Sequence, residues 1–489
     1  VNSAMALAYR SGLLLLLLCL APAVHAQQTW YVATNGADSP GRGSEAMPFA
    51  TITYALDQSS GGDVILVEPG VYNGRIRIRG QFTPDVTIRS RQPYRAQLRH
   101  SSTVLTIYDG SVGVSGVAIE GFDIAHSGAG AEPLVVQMQS ESTQVTERIT
   151  LRDNILHDSF NNDILKINNG ARQIRILGNL FYNQTGSDEH IDINSVEDVL
   201  VEGNVFFNDF AASGRVNGNN TSSYIVIKDS NAAGDAYLGA RDIRVRRNVF
   251  LNWQGSSGSN FLLCGEDGTA NFEAFDLLIE NNLMLGNAPN TMRAAFGAKG
   301  CRDVVFRNNT VVGDLPSLAF AMRLNREGSN PQLQNIQFYN NIWSDPGGSM
   351  DDFSDTPPAD TQSFTLDNNL YYNGGNAIPM DGSELVNVDD DSAAVLGDPE
   401  LPLQTGLITP VWNATSQTFG GGHTRIADAF QHLAANFGRP APGGAAVAAG
   451  RVDQTPADDI LGLPRGAGRT IGAAEPANAD RVFYSGFEG

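Results

Sequence analysis

The sequence predicts an all-β chain wound as a β-solenoid, opened by a helical cap and followed by an irregular C-terminal region. Two observations predict it. Eight segments share an alternating apolar pattern that closes on an asparagine, at Asn154, Asn179, Asn204, Asn248, Asn282, Asn309, Asn341 and Asn369. These asparagines recur after 25, 25, 44, 34, 27, 32 and 28 residues. Alternation is strand periodicity with one face inward. A repeat of about 25 residues with Gly and Asn turns marks stacked coils, the longer intervals being loops inserted at fixed corners. Asparagine suits the left-handed bend between strands, and stacked amides can hydrogen-bond from coil to coil.

The elements follow in order. Residues 1–26 read as a signal peptide, with Arg10 as the charged region and 13–20 as an apolar run too short to span a bilayer. Val24 and Ala26 stand at the cleavage positions before Gln27, and Leu18 ahead of Cys19 argues against lipidation. Residues 27–400 form the solenoid with its cap. Helical spacing over 49–56 follows Pro48 and ends near Gly61. Such a helix covers the open end of a stacked sheet, whose strand edges are otherwise unpaired. Short strands are expected at 63–67, 86–89, 104–108 and 117–119, and the asparagine coils come next. The pattern weakens after Asp345. Residues 401–475 form a closing region with a helix over 424–437, and 476–489 a tail that is a sorting signal or a final strand.

Charge narrows the partners. The 489 residues carry 53 acidic and 32 basic side chains, a net charge of -21. Nucleic acid needs a basic face and is excluded as a partner. A polyanion is disfavoured too, unless a local basic groove or a bound cation reverses the field. Past the leader only Cys264 and Cys301 remain. Export permits a disulfide between them, and two buried thiols fit the sequence as well. A monomer is expected, with no transmembrane segment.

The stretch 161–229 carries the chemistry. The chain has only three lysines, Lys166, Lys228 and Lys299, against 29 arginines. A role that needs a titratable amine resists replacement by a permanent guanidinium. Each coil has a second strand before its asparagine strand. Aligning these places Lys166, Asp192 and Arg323 in one outward column, and Asn168, Asn194, Lys228, Lys299 and Asn325 in the next. Period two puts Asp188 and His190 on the face of Asp192, and turns Glu189 inward. Coils ~4.8 Å apart leave Lys166 and Lys228 roughly 10 Å apart, with the acidic coil between them. Glu266 and Asp267 follow a loop and read as a solvated turn in preference to the alternative, a lining of the same groove. Trp253 and Trp343 follow asparagine strands and either stack on sugars or pack under loops.

Three parts of the chain carry a resemblance: the opening Trp30-Tyr31-Val32 with 48–52 and 62–72, the asparagine coils, and the closing segments 459–465 and 470–475. Together they resemble a secreted bacterial protein of the pectate-lyase-like superfamily. That resemblance implies a right-handed parallel β-helix, placed outside or on the surface of a bacterial cell. It covers most of the chain after the leader and is specific for fold, since the fold hosts lyases, hydrolases, epimerases and adhesins.

The leading expectation for function is a polysaccharide lyase acting on a uronate polysaccharide by β-elimination. Neutralising the substrate carboxylate eases removal of the neighbouring proton. Some β-helix pectate lyases use a lysine base beside aspartate-bound calcium, and the segment 163–166 resembles their lysine strand. On this reading Lys166, Lys228 and His190 are the catalytic candidates, their amines partly deprotonated by cationic neighbours. Asp188, Glu189 and Asp192 are hard oxygen ligands for Ca²⁺. Arg323, Lys299 and Arg293 are the candidates for binding substrate carboxylates. A hydrolase is the first alternative, with Asp188, Asp192 and Asp229 as carboxylates. The paired aspartates and Gly-His-Gly turn of β-helix polygalacturonases are absent. A non-catalytic carbohydrate-binding surface protein is the second alternative.

Overall fold

The computed structural model describes residues 26–477, apart from 142, 185–188, 211–213, 215–222, 231–236, 252–259, 287–290, 314 and 316. The expected leader but for its last residue, the tail from 478, Asp188 and Trp253 lie outside the described residues. No described helix is long and apolar enough to cross a membrane.

Successive coils each give one strand to three parallel sheets of 12, 10 and 12 strands. The first runs from Thr29–Val32 to Phe364–Asp367, the second from Ile76–Ile78 to Ser354–Asp355, the third from Gly70–Asn73 to Val395–Leu396. The chain is thus an all-β parallel β-solenoid of the right-handed type. Coils stack in register, so equivalent positions form columns: Ile149 pairs with Ile174, Ile174 with Val199 and Val199 with Ile243. These columns are buried. Aromatic rings stack inside the same way, Phe181 on Phe206 at 5.0 Å and Phe206 on Phe250 at 4.9 Å. Each such side chain contributes about 1.5–3 kcal/mol of burial. Trp343 belongs to this core, fully buried and stacked on Tyr371, and so offers no face to a sugar.

The asparagines form one unbroken ladder. Each donates its backbone N–H and its Nδ2–H to the Oδ1 of the next, from Asn154 to Asn369, at 2.8 to 3.1 Å. Asp391 ends the ladder, its carboxylate accepting from Asn369 and from the Tyr371 hydroxyl. The left-handed bend does not fall on the ladder residue. It falls one residue earlier, at Asp153, Gly178, Gly203, Arg247, Asn281, Asn308, Asn340 and Asn368. Bend and ladder are therefore separate duties, and only the second demands asparagine.

A helix at Ile52–Gln58, with the Thr51 hydroxyl accepting the Tyr54 N–H, buries Ile52, Ala55 and Leu56. It lies against Thr29–Val32 and Val64–Val67. A second helix, Ile426–Phe437, buries Ile426, Phe430, Leu433 and Phe437. With Phe419 and Ile460 these cover Leu180, Tyr182, Phe207 and Leu283 on the third sheet. Cys264 and Cys301 form a disulfide, which decides between the two states the sequence allowed.

Under this C-terminal cover His157 sits between two carboxylates, with Nε2 at 2.8 Å from Asp123 and Nδ1 at 2.8 Å from Asp158. Its ring stacks on Tyr182 at 4.7 Å. Burial alone lowers the imidazole value, but Asp158 and Asp123 outweigh it and hold His157 above the ordinary histidine value. A group raised on folding stabilises fully below its unfolded value of about 6.5, and that contribution fades as pH rises through the folded value. We expect the melting temperature to fall on this alkaline side, and the His157→Phe variant to lose that part of the slope in a calorimetric pH series.

Candidate functional site

The site is built on the outer face of the second sheet. In its first outward column Gln137 pairs with Lys166, Lys166 with Asp192, Asp192 with Val226, and Gly297 with Arg323. In the next, Asn194 pairs with Lys228 and Lys299 with Asn325. The registers place the two lysines on either side of the Asp192 coil.

Three carboxyl groups converge there. Ligand atoms of Asp163, Glu189 and Asp192 lie within 4.8 Å of one another, and the residues are 1%, 3% and 2% exposed. Lys166 Nζ donates to Asp192 Oδ2 at 2.6 Å and lies 3.8 Å from Asp163 Oδ2. Asp163 Oδ1 accepts the Glu189 backbone N–H at 3.0 Å, and Asn194 Nδ2 donates to Asp192 Oδ2 at 3.0 Å. Asp163 Oδ2 and Asp192 Oδ1 have no hydrogen-bond partner although buried. Burial, then Asp192, raises the Asp163 carboxyl, and burial, then Asp163 and Asp192, raises Glu189 well above the glutamate range. Crowded buried acids of this kind take up either protons or a cation. Two orphaned oxygens among three hard donors fit a cation such as Ca²⁺.

Lys228 sits on the other flank, its Nζ 2.6 Å from Glu266 Oε2 and 3.4 Å from Asp267 Oδ1. The turn read as solvated is therefore part of the site. Lys299 pairs with Glu327 and Arg323 with Asp355. Arg293 lies three residues ahead of Phe296–Lys299, half-buried, with no ion pair among the described residues.

Two expectations are corrected. His190 does not share a face with Asp192. It is fully buried, stacked on Tyr224 at 4.4 Å, with Nε2 paired to Asn208 at 3.1 Å. Burial pushes it down to about 3, so it is a neutral core ring with no access to a substrate. The chain bends just before each second-sheet strand, which reverses the alternation counted across it. Glu189 is thereby turned to the acid cluster and His190 inward. The residue before each strand shows this in sequence: Ile164, His190, Tyr224 and Phe261 occupy one buried column. The same offset reveals Asp163, which sequence reasoning left unassigned as a ligand: it precedes Leu165 as Glu189 precedes Ile191.

The second correction concerns the amines. Burial lowers Lys166 and Lys228, but Asp192 and Asp163 raise the first, and Asp192 and Glu266 the second, so both lie above the ordinary lysine value. Their surroundings are acidic, and the pull of Lys228 on Lys166 is a minor contribution.

No protein-family model matches the chain, and no curated protein matches it. Among solved structures it is similar to the pectate lyase Pel9A, at 13% identity over 93% of this chain and 98% of that one, with a TM-score of 0.49. It is also similar to XylC bound to xylose, at 11% identity over 91% and 98% of the two chains, TM-score 0.48. A mannuronic acid specific family 6 lyase from human gut microbiota matches at 12% identity over 76% and 91%, TM-score 0.46. Likenesses this distant say nothing of what this chain acts on.

Proposed function

We propose that the chain is an exported bacterial polysaccharide lyase that cleaves a uronate-containing polysaccharide by β-elimination. One observation carries this reading: consecutive coils bring two of the three lysines and a buried trio of carboxyl groups onto a single outward strip. In the reaction the C–H bond beside the substrate carboxylate breaks, a C=C bond forms, and the glycosidic C–O bond breaks, its oxygen taking a proton. Lys166 is the first choice for the group that removes the proton, in a free-amine form that would require bound Ca²⁺ to take over the Asp192 and Asp163 carboxylates that otherwise hold it as an ammonium. Lys228 is the choice for neutralising the carboxylate, with Arg293, Lys299 and Arg323 assigned to binding further carboxylates. Asp163, Glu189 and Asp192 would hold Ca²⁺, which when bound withdraws charge from the substrate carboxylate. In this reading the Ile52–Gln58 helix covers the N-terminal end of the solenoid, and the protein works as a secreted or surface-held monomer.

Incubation with pectate, alginate and other uronates should yield products with unsaturated-uronate absorbance, and chelator should suppress them. New reducing ends without unsaturation would replace the lyase by a hydrolase. Retaining hydrolysis uses two carboxyl groups, one of them protonated, and Glu189, raised by burial beside Asp192 with ligand atoms within 4.8 Å, is the pair that this second reading would use. Binding without new ends would leave a carbohydrate-binding protein.

A further inference from the structure

The outward strip is open on one side of the reacting groups. Toward the C-terminal coils the column through Lys166 and Asp192 continues with Val226, Leu263 and Gly297, all buried although they stand in outward register. A sugar has no access to them. Toward the N-terminal coils the rungs after Lys166 present Gln137, Thr106 and Arg77. Gln137 is half-buried and Arg77 exposed. Thr106 lies buried between these longer side chains, its hydroxyl turned to Ile76 O at 3.4 Å, and forms no contact surface. In the neighbouring column Asn168 pairs with Gln139, and Tyr108 follows Ile107 as Gln139 follows Met138. These three are half-buried. Gln137 Nε2 donates to Gln139 Oε1 at 2.8 Å, which leaves Gln137 Oε1 and Gln139 Nε2 to sugar hydroxyls.

Arg77 ends this open side. Its backbone N–H donates to Thr53 Oγ1 at 3.0 Å, and its carbonyl accepts from the same hydroxyl at 3.2 Å. Thr53 belongs to the helix Ile52–Gln58, so that helix fixes the strand that carries Arg77. Lys166, Lys228, Lys299 and Arg323 are each held by a carboxylate, and Arg79 is held by Asp57. Arg77 has no ion pair among the described residues. Arg75 beside it donates to Ser102 Oγ at 3.1 Å, and the acids nearby, Asp57 and Asp109, act on Arg79. An exposed guanidinium without a carboxylate is a ready bidentate partner for one. Three rungs of ~4.8 Å place it ~14 Å from Lys166.

Building on the lyase reading, we infer that Arg77 is a distal subsite of the same groove, which binds the carboxylate of a second uronate on the polymer. The chain lies from the Lys166 and Lys228 rungs toward the N-terminal coils, and the sugars between the two ends pass over Gln137, Gln139 and Tyr108. A polymer long enough to place a uronate at each end of that span is held more tightly than a shorter oligomer.

The test measures binding and cleavage separately. Capillary electrophoresis at low salt gives the affinity for size-fractionated oligogalacturonates and oligomannuronates from the disaccharide upward, and unsaturated products are followed in parallel. Affinity should step up about three- to fivefold, the contribution of an exposed ion pair, at the length that first spans ~14 Å. High salt should flatten the step. Arg77→Gln should abolish it and leave the affinity for shorter oligomers unchanged, and Arg77→Lys, which keeps the charge, should restore most of it. Binding of no oligomer, a rise with no step at that length, or a step that survives Arg77→Gln would overturn the inference. A step lost in Arg77→Gln with no unsaturated product from any oligomer would uphold the subsite while removing the lyase reading.

Discussion

Asn248→Ala is expected to destabilise the solenoid by about 3–5 kcal/mol, the sum of the buried polar groups it strands. Asn248 Oδ1 accepts the Asn204 N–H and Nδ2–H at 3.0 Å, and its own Nδ2 donates to Val201 O at 3.0 Å. All of this is inaccessible to water, Asn204 and Asn248 being fully buried. Alanine removes the acceptor and the donor together. The position also matters. In a stacked repeat, stability is approximately a sum of coil and nearest-neighbour contributions. A break in mid-ladder therefore weakens the coupling between the two halves. Urea unfolding followed by circular dichroism should show a lowered first midpoint and a second transition. Asn376→Ala, at an exposed turn, should change stability by no more than about 0.5 kcal/mol. A single transition with an unmoved midpoint in Asn248→Ala would remove the ladder from the account of stability.

The ladder was legible because it follows the strand pattern without interruption. A buried amide that must be asparagine in every coil leaves a periodic mark. The left-handed residue was misplaced by one position because its identity varies: Asp153, Gly178 and Arg247 all adopt it. Seven of the eight bend residues are nonetheless Asn, Asp or Gly, the types that enter this region at least cost, and Arg247 is the exception. The site was legible as far as the strands reach. Lys166, Asp192, Lys228 and Arg323 stand in the registers that alternation predicts. Alternation fails at the corner, where the chain turns between sheets, and that corner sets Glu189 and His190. Asp163 and Glu266 were missed for a related reason: both act across coils, from turns whose direction the sequence does not encode locally. The disulfide is of the same kind, since Cys264 and Cys301 lie 37 residues apart and meet only because adjacent coils stack.

Lys166→Ala is expected to cut the rate of unsaturated-product formation by about 10²- to 10⁴-fold, the usual contribution of a positioned general base. The loss should fall on kcat, with KM little changed, because in the proposed reading Lys228 and Arg293 remain to bind the substrate carboxylate. Lys166 is 26% exposed but its partners Asp192 and Asp163 are buried, so the alanine variant should lose stability, and circular dichroism checks that it is folded before rates are compared. Charge and proton transfer are separated by Lys166→Arg. Arginine keeps a cation beside Asp192 but does not release a proton at working pH, so it should preserve stability and remain as slow as the alanine variant. Restored activity in Lys166→Arg would mean that the amine serves as a counter-charge alone. Proton removal would then pass to Lys228, whose ammonium is held by Glu266 and Asp267. Glu266→Gln would be the deciding change in that event: loosening that grip should speed a Lys228 base and leave a Lys166 base unaffected.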